Sequence, residues 1–235
     1  MAGITDSGPS SAVPARAWPG ERLRGAPRRV FMIFVAVDVV AVAAWLIAVA
    51  VGAHSLRAVG RLALLFVLCV VFEEIARQTG RARLQIRTGA VADMTSVWIF
   101  AGLIVMPAGY AGMLIVAIAL WVWGVRVQGP KPLVFRKVYT AAATLIAGVA
   151  GSLLLAHMGD HFTAIPSGPR AAMVIAVALV VFTVVNHLLI TLAAVLLYGS
   201  WRMALGSWED NALELATLCL GALVALTVMY EPWLT

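Results

Sequence analysis

The 235-residue chain is 63% hydrophobic and 12% charged, with a mean hydropathy of +0.97. A soluble domain carries about 25% charged residues, so half that share excludes one and indicates a polytopic membrane protein. The net charge of +6 implies no nucleic-acid partner, because the cations lie in short loops between apolar runs, where they orient a protein in its bilayer.

Residues 1–29 are rich in Pro, Gly, Ser and Ala and end in Arg22, Arg24, Arg28 and Arg29. This composition cannot bury a core and predicts a disordered basic cytoplasmic tail, leaving 30–235 as one membrane helical domain. The first apolar run, Val30–Val51, is too long for a secretory signal and long enough to span. The second, Leu56–Ala76, opens with Arg57 and Arg61, closes on Phe72-Glu73-Glu74, and is followed by Arg77, Arg81, Arg83 and Arg87.

Ala92–Met106 and Tyr110–Val125 flank Pro107-Ala108-Gly109. Each piece reaches only about 22–24 Å at helical rise, short of the ~30 Å hydrocarbon core. Pro followed by Gly signals a turn, so a short helical hairpin over 92–125 is expected, with both ends on one side of the bilayer.

Val138–His157 is the fifth segment. Its Thr140, Thr144, Gly148 and Ser152 recur every four residues, a small-residue stripe suited to close helix contact, including contact across a homodimer. Ala171–Tyr198 is the longest apolar run, about 42 Å as a helix, and the other segments are expected to pack around it. Thr183, His187 and Thr191 share one of its faces, with Asn186 beside them. A polar stripe at that depth has to face other helices or a cavity. Asn211–Tyr230 is the last segment, and Glu231-Pro232-Trp233-Leu234-Thr235 reads like the start of a further element. Trp121, Trp123, Trp201, Trp208 and Trp233 suit interfacial anchors.

The pattern as a whole predicts an all-α membrane bundle of about seven transmembrane segments. With the N-terminus inside, fourteen of the seventeen Lys and Arg fall in inner loops, and only Arg57, Arg61 and Arg170 lie outside. That asymmetry fits a multi-pass protein of the bacterial cytoplasmic (inner) membrane with a cytoplasmic N-terminus.

The acidic residues of the segments, Asp38, Glu73, Glu74, Asp93 and Glu214, all belong to the inner half of this layout. An ionisable group in a membrane span has to be paired or wet. One reading is structural, with Glu73 paired to Arg77 and with Asp93 and Glu214 near helix N-termini. The other is an inner cavity for a small ligand, built from Asp38, Glu73, Asp93, Asn186, His187 and Glu214. His157, Asp160 and His161 supply too few ligands for a metal site. Cys69 and Cys219 fall inside apolar runs and are expected to be buried, without zinc or redox spacing, and no cofactor is implied. No nucleophile elbow, phosphate loop, zinc-peptidase helix or dinucleotide fingerprint is present, so no soluble catalytic module accompanies the membrane part.

Asp93-Met94-Thr95-Ser96-Val97-Trp98 through Met106-Pro107-Ala108-Gly109-Tyr110-Ala111-Gly112, then Val134 to Ala142, Val184 to Leu189, and Glu214-Leu215-Ala216 leading to Tyr230-Glu231-Pro232-Trp233, form a pattern. It resembles the multi-spanning N-terminal sensor regions of bacterial GGDEF and HD-GYP proteins, which make or degrade cyclic di-GMP. The resemblance implies a non-catalytic sensor or input domain in signal transduction. The chain departs from the pattern in carrying no GGDEF or HD-GYP domain, which implies either a fragment of a longer signalling protein or a stand-alone relative. The stretch Ala101-Gly102-Leu103 to Gly109-Tyr110-Ala111-Gly112 also resembles the substrate-binding membrane subunits of energy-coupling-factor transporters. That likeness implies a small-molecule-binding transporter subunit instead.

Overall fold

The computed structural model describes residues 28–52, 55–83, 94–125, 134–158, 168–199 and 208–230. Every element among them is an α-helix: α1 (Arg28–Val51), α2 (Leu56–Arg83), α3 (Thr95–Val105), α4 (Ala108–Val125), α5 (Val134–Met158), α6 (Pro169–Tyr198) and α7 (Trp208–Tyr230). The tail as far as Pro27, together with Arg87, Asp93, Arg126, Lys131, Asp160, His161, Trp201 and Trp233, lies outside the described residues.

Four helices, α1, α5, α6 and α7, are long and apolar enough to cross a membrane, which marks the chain as a membrane protein. Helix α2 has the length but carries Arg57 and Arg61 in its first turns and Glu73, Glu74 and Arg77 further on. It also runs past the expected end at Ala76 to Arg83. The molecule wears its apolar side chains outward: Ile47, Val51, Leu188 and Leu223 are each at least 60% exposed. In water that surface would be untenable; against acyl chains it is ordinary.

The expected hairpin is present, and its break has a simple cause. Met106, preceding Pro107, is held in extended backbone (φ −131°, ψ 152°) because the proline ring excludes the helical conformation from its predecessor. Met106 N–H still donates to Gly102 O at 3.1 Å, closing α3. Pro107 then starts α4, its carbonyl accepting from Ala111 N–H at 3.0 Å. The ends of α6 are set by Gly168 (φ +85°) before Pro169 and by Gly199 in the left-handed region (φ +66°), whose N–H donates to Val195 O at 2.9 Å.

The centre of the bundle is α3, not the long α6 around which the chain was expected to pack. Val97 to Val105 are all buried. Helix α7 lies along one side of α3, and α2, α4 and α5 cover the others. Phe182 of α6 reaches the same core, 6.0 Å from Phe100 ring to ring. The contacts depend on small residues: a Cβ on Gly221 of α7 would stand 2.5 Å from Val97 O, and one on Gly148 of α5 would stand 2.8 Å from Ile115 Cδ1. Between helices in lipid there is no hydrophobic drive, so this close approach and its dispersion energy hold the bundle together.

The stripe on α5 is therefore engaged within the chain at its far end. Gly148 and Ser152 are buried, whereas Thr140 is exposed and bonds back to Arg136 O at 2.8 Å. A second, smaller cluster joins α1 to α5, with Phe34 packed on Tyr139 (4.4 Å) and on Phe135 (6.1 Å). Of the two cysteines, Cys69 is buried against the core as expected, but Cys219 is exposed, because it sits on the face of α7 turned away from α3.

Replacing Gly221 with Ala has to push α7 off α3. A loss of about 1–3 kcal/mol is expected for such overpacking, read as a lowered melting temperature in detergent. Gly60→Ala, where nothing lies within 4 Å of the added Cβ, should be neutral or stabilising by up to ~1 kcal/mol. Equal behaviour of the two variants would refute a core centred on α3.

Candidate functional site

Helix α6 carries His187 about 17 Å from its C-terminal end, level with the first turn of α7. His187 Nε2 lies 3.2 Å from Asn211 Oδ1 and 3.7 Å from Glu214 Oε2. Asn211 and Glu214 are three residues apart on α7 and so present to one face. The imidazole thus meets both α7 side chains through one ring nitrogen, Nε2. His187 Nδ1 is buried without a partner, and so are Asn186 Oδ1 and Thr183 Oγ1. Asn186 as a whole is 8% exposed. Three unsatisfied polar atoms thus share one turn of α6 beside a paired histidine and a carboxylate. Each such atom, buried with nothing to bond, costs about 1–3 kcal/mol.

The other expected site residues are dispersed. Asp38 is half-buried on α1, its Oδ1 enclosed without a hydrogen-bond partner. It lies within electrostatic range of Tyr139 on α5. Tyr139 in turn donates to Leu189 O of α6 at 2.7 Å, three residues beyond Asn186. Glu73 is buried on α2, which packs on α3 and α4, so α3 stands between it and α7. Arg77 pairs with Glu74, with contacts of 2.5 and 2.8 Å, one residue along from the partner the i,i+4 spacing suggested. Asp93 lies outside the described residues. The structure therefore joins His187 to Glu214 with Asn186 adjacent, and it sets Asp38 one helix away.

Two contributors went unread in the sequence. Asn211 has a signal, its position one turn before Glu214 on the same face. Tyr139 has none, since only packing brings it to Leu189 and within electrostatic range of Asp38.

At the opposite end of the bundle a half-open depression of about 260 Å³ lies between α1, α2 and the start of α4, lined by Ala48, Val49, Gly52, Val59, Pro107 and Met113 among others. It is apolar and contains none of the expected site residues. Trp45 Nε1 donates to Gly109 O at 3.0 Å beside it, and Arg61 Nη1 donates to Val105 O at the same distance, satisfying a carbonyl at the end of α3. Among the described residues no group of three His, Cys, Asp or Glu is placed to hold a metal ion.

A double-mutant cycle of His187→Ala and Asn211→Ala should give a coupling of about 0.6 kcal/mol, and no more than ~1.7, in reversible unfolding from detergent. Strict additivity would mean that α6 and α7 are not tied through the imidazole. No family model, no curated protein and no solved structure matches the chain.

Proposed function

We propose that the chain is a non-catalytic sensor or input domain of a bacterial signalling protein, set in the inner membrane with its N-terminus in the cytoplasm. The α6–α7 link is its receptor element. The single observation behind this reading is the set of buried, unsatisfied atoms on Thr183, Asn186 and His187 next to the His187–Asn211–Glu214 contact. A purely structural polar stripe would close its own hydrogen bonds; this one leaves three buried atoms open. An intramembrane histidine set beside a carboxylate supports a site reading.

The sensor assignment draws further support from the resemblance to the membrane regions of GGDEF and HD-GYP proteins. A tie between two helices that share few other contacts suits an input domain, because a ligand that competes for His187 would change how α7 sits against α6. Orientation is supported by charge. Arg28, Arg29, Arg77, Arg136 and Lys137 gather at the end of the bundle where α1 starts, and Arg57, Arg61 and Arg170 at the other.

Two measurements test the proposal. In a Cys69→Ser, Cys219→Ser background, a cysteine placed at Arg136 should react with an impermeant maleimide only from the cytoplasmic side. One at His157 should react only from the other side; the reverse pattern would invert the topology. Asn186→Ala and Asp38→Asn should each alter the protein's thermal response to pH or to added small molecules while leaving its helicity intact. If both variants respond as the wild type does under every condition, these residues are packing elements and the receptor reading fails.

A further inference from the structure

The depression between α1, α2 and the start of α4 is lined by residues too small to fill it, Ala48 and Gly52 of α1 and Gly109 of α4, with Val59 of α2 beside them. Its shape is built in. A Cβ on Gly109 would stand 2.8 Å from Val49 Cα, so α1 and α4 are already in backbone contact there. The Gly109 carbonyl is met by Trp45 Nε1, and what the lining offers an occupant is apolar surface. The void sits at the last turn of α1, where a 24-residue apolar helix reaches the edge of the hydrocarbon. On either side of the connection to α2, Val51 and Leu56 are 82% and 89% exposed.

Two cations flank this void. Arg57 and Arg61, one turn apart on α2, lie two residues before and two after the lining Val59, about 5–6 Å from it between Cα atoms, within the reach of an arginine side chain. The two guanidinium groups lie within electrostatic range of each other. Arg61 donates to Val105 O at 3.0 Å, which meets a hydrogen-bonding need and leaves its charge unanswered. Arg57 is exposed. Among the described residues no carboxylate is near. Asp38 is about 15 Å from Ala48 and Glu73 about 18 Å from Arg61 by helical rise, and the acids of α7 lie at the other end of the bundle.

We infer that this cleft holds one acyl chain of an anionic phospholipid, whose phosphate sits at Arg57 and offsets the charge of the Arg57–Arg61 pair. The site is separate from the α6–α7 link and independent of its role. Volume decides against a helix of another protein: one turn, about 10 Å wide and 5.4 Å long, needs roughly 400 Å³, against about 260 Å³ here. A small apolar solute would fill the space and leave two cations unanswered. Inorganic phosphate would answer them and leave the apolar space empty. A phospholipid does both, and a guanidinium group holds a phosphate through paired N–H donors.

The test separates headgroup from chain. Phosphatidylglycerol added to the detergent-purified protein should raise its melting temperature in a saturable way. Phosphatidylcholine with the same chains should do so only weakly, and inorganic phosphate not at all. Arg57→Gln, an exposed change safe for the fold, should weaken phosphatidylglycerol binding about fivefold. Val59→Trp, which puts a ring into the cleft, should weaken it more. Arg170→Gln, at the same end of the bundle but on α6, should leave it unchanged. Equal stabilisation by the two lipids, stabilisation by neither, or an equal effect of inorganic phosphate would each overturn the inference. So would a phosphatidylglycerol effect that either Arg57→Gln or Val59→Trp leaves intact, or one that Arg170→Gln lowers as far as Arg57→Gln does.

Discussion

The bundle depends on the absence of side chains at a few helix crossings. Lipid tails solvate Leu, Val and Ile as well as another helix does, so segments associate only where their backbones come close enough to gain dispersion energy across a broad surface. Gly221 against the carbonyl of Val97, and Gly148 against Ile115 and Leu103, are such places. They allow an eleven-residue helix, too short to cross hydrocarbon by itself, to be wrapped by α2, α4, α5 and α7. The polar devices act on top of this packing. Arg61 satisfies the carbonyl of Val105, Trp45 that of Gly109, and Tyr139 joins α5 to α6 through Leu189. Each meets a backbone group at a place where the chain turns or where two helices must hold register.

The segments were legible in the sequence because apolar runs and Pro-Gly or basic punctuation write them plainly. The helix pair around Pro107 follows from the steric effect of proline on Met106, which is local chemistry. The arrangement of the segments was not legible. In water, burial leaves a mark, since outward faces are polar; in lipid both faces are apolar. Helices α1 and α3 are both strongly apolar, yet α3 is buried almost throughout and α1 buries only Val30, Phe34 and Ala41. Hydropathy therefore could not tell the hub from the rim, and length misled, favouring α6. The true end of α2 was hidden for a related reason: the charges that end an apolar run do not end a helix.

The site was partly legible. Four-residue spacing put Thr183 and His187 on one face of α6, and the placement of acids in the inner half pointed to Glu214. The pairing of His187 with Asn211 and Glu214 crosses from one helix to the next, and nothing in either helix alone specifies it. Asp38 shows the same limit. It has no partner in its own segment, and its neighbour Tyr139 belongs to a helix about a hundred residues further along. Polar atoms in lipid are costly wherever they are, so their presence could be read directly, whereas their partners depend on a packing that apolar surfaces encode weakly.

The dependence of α3 on α7 has a consequence for biogenesis. These two helices are separated by α4, α5 and α6 in the chain, so α3 leaves the ribosome long before the surface that covers it exists. Until α7 arrives, the Val97–Phe100 face has to be shielded by lipid, by the insertion machinery or by a provisional neighbour. The central helix is thus the first of the pair to be made, and its burial waits on the arrival of α7.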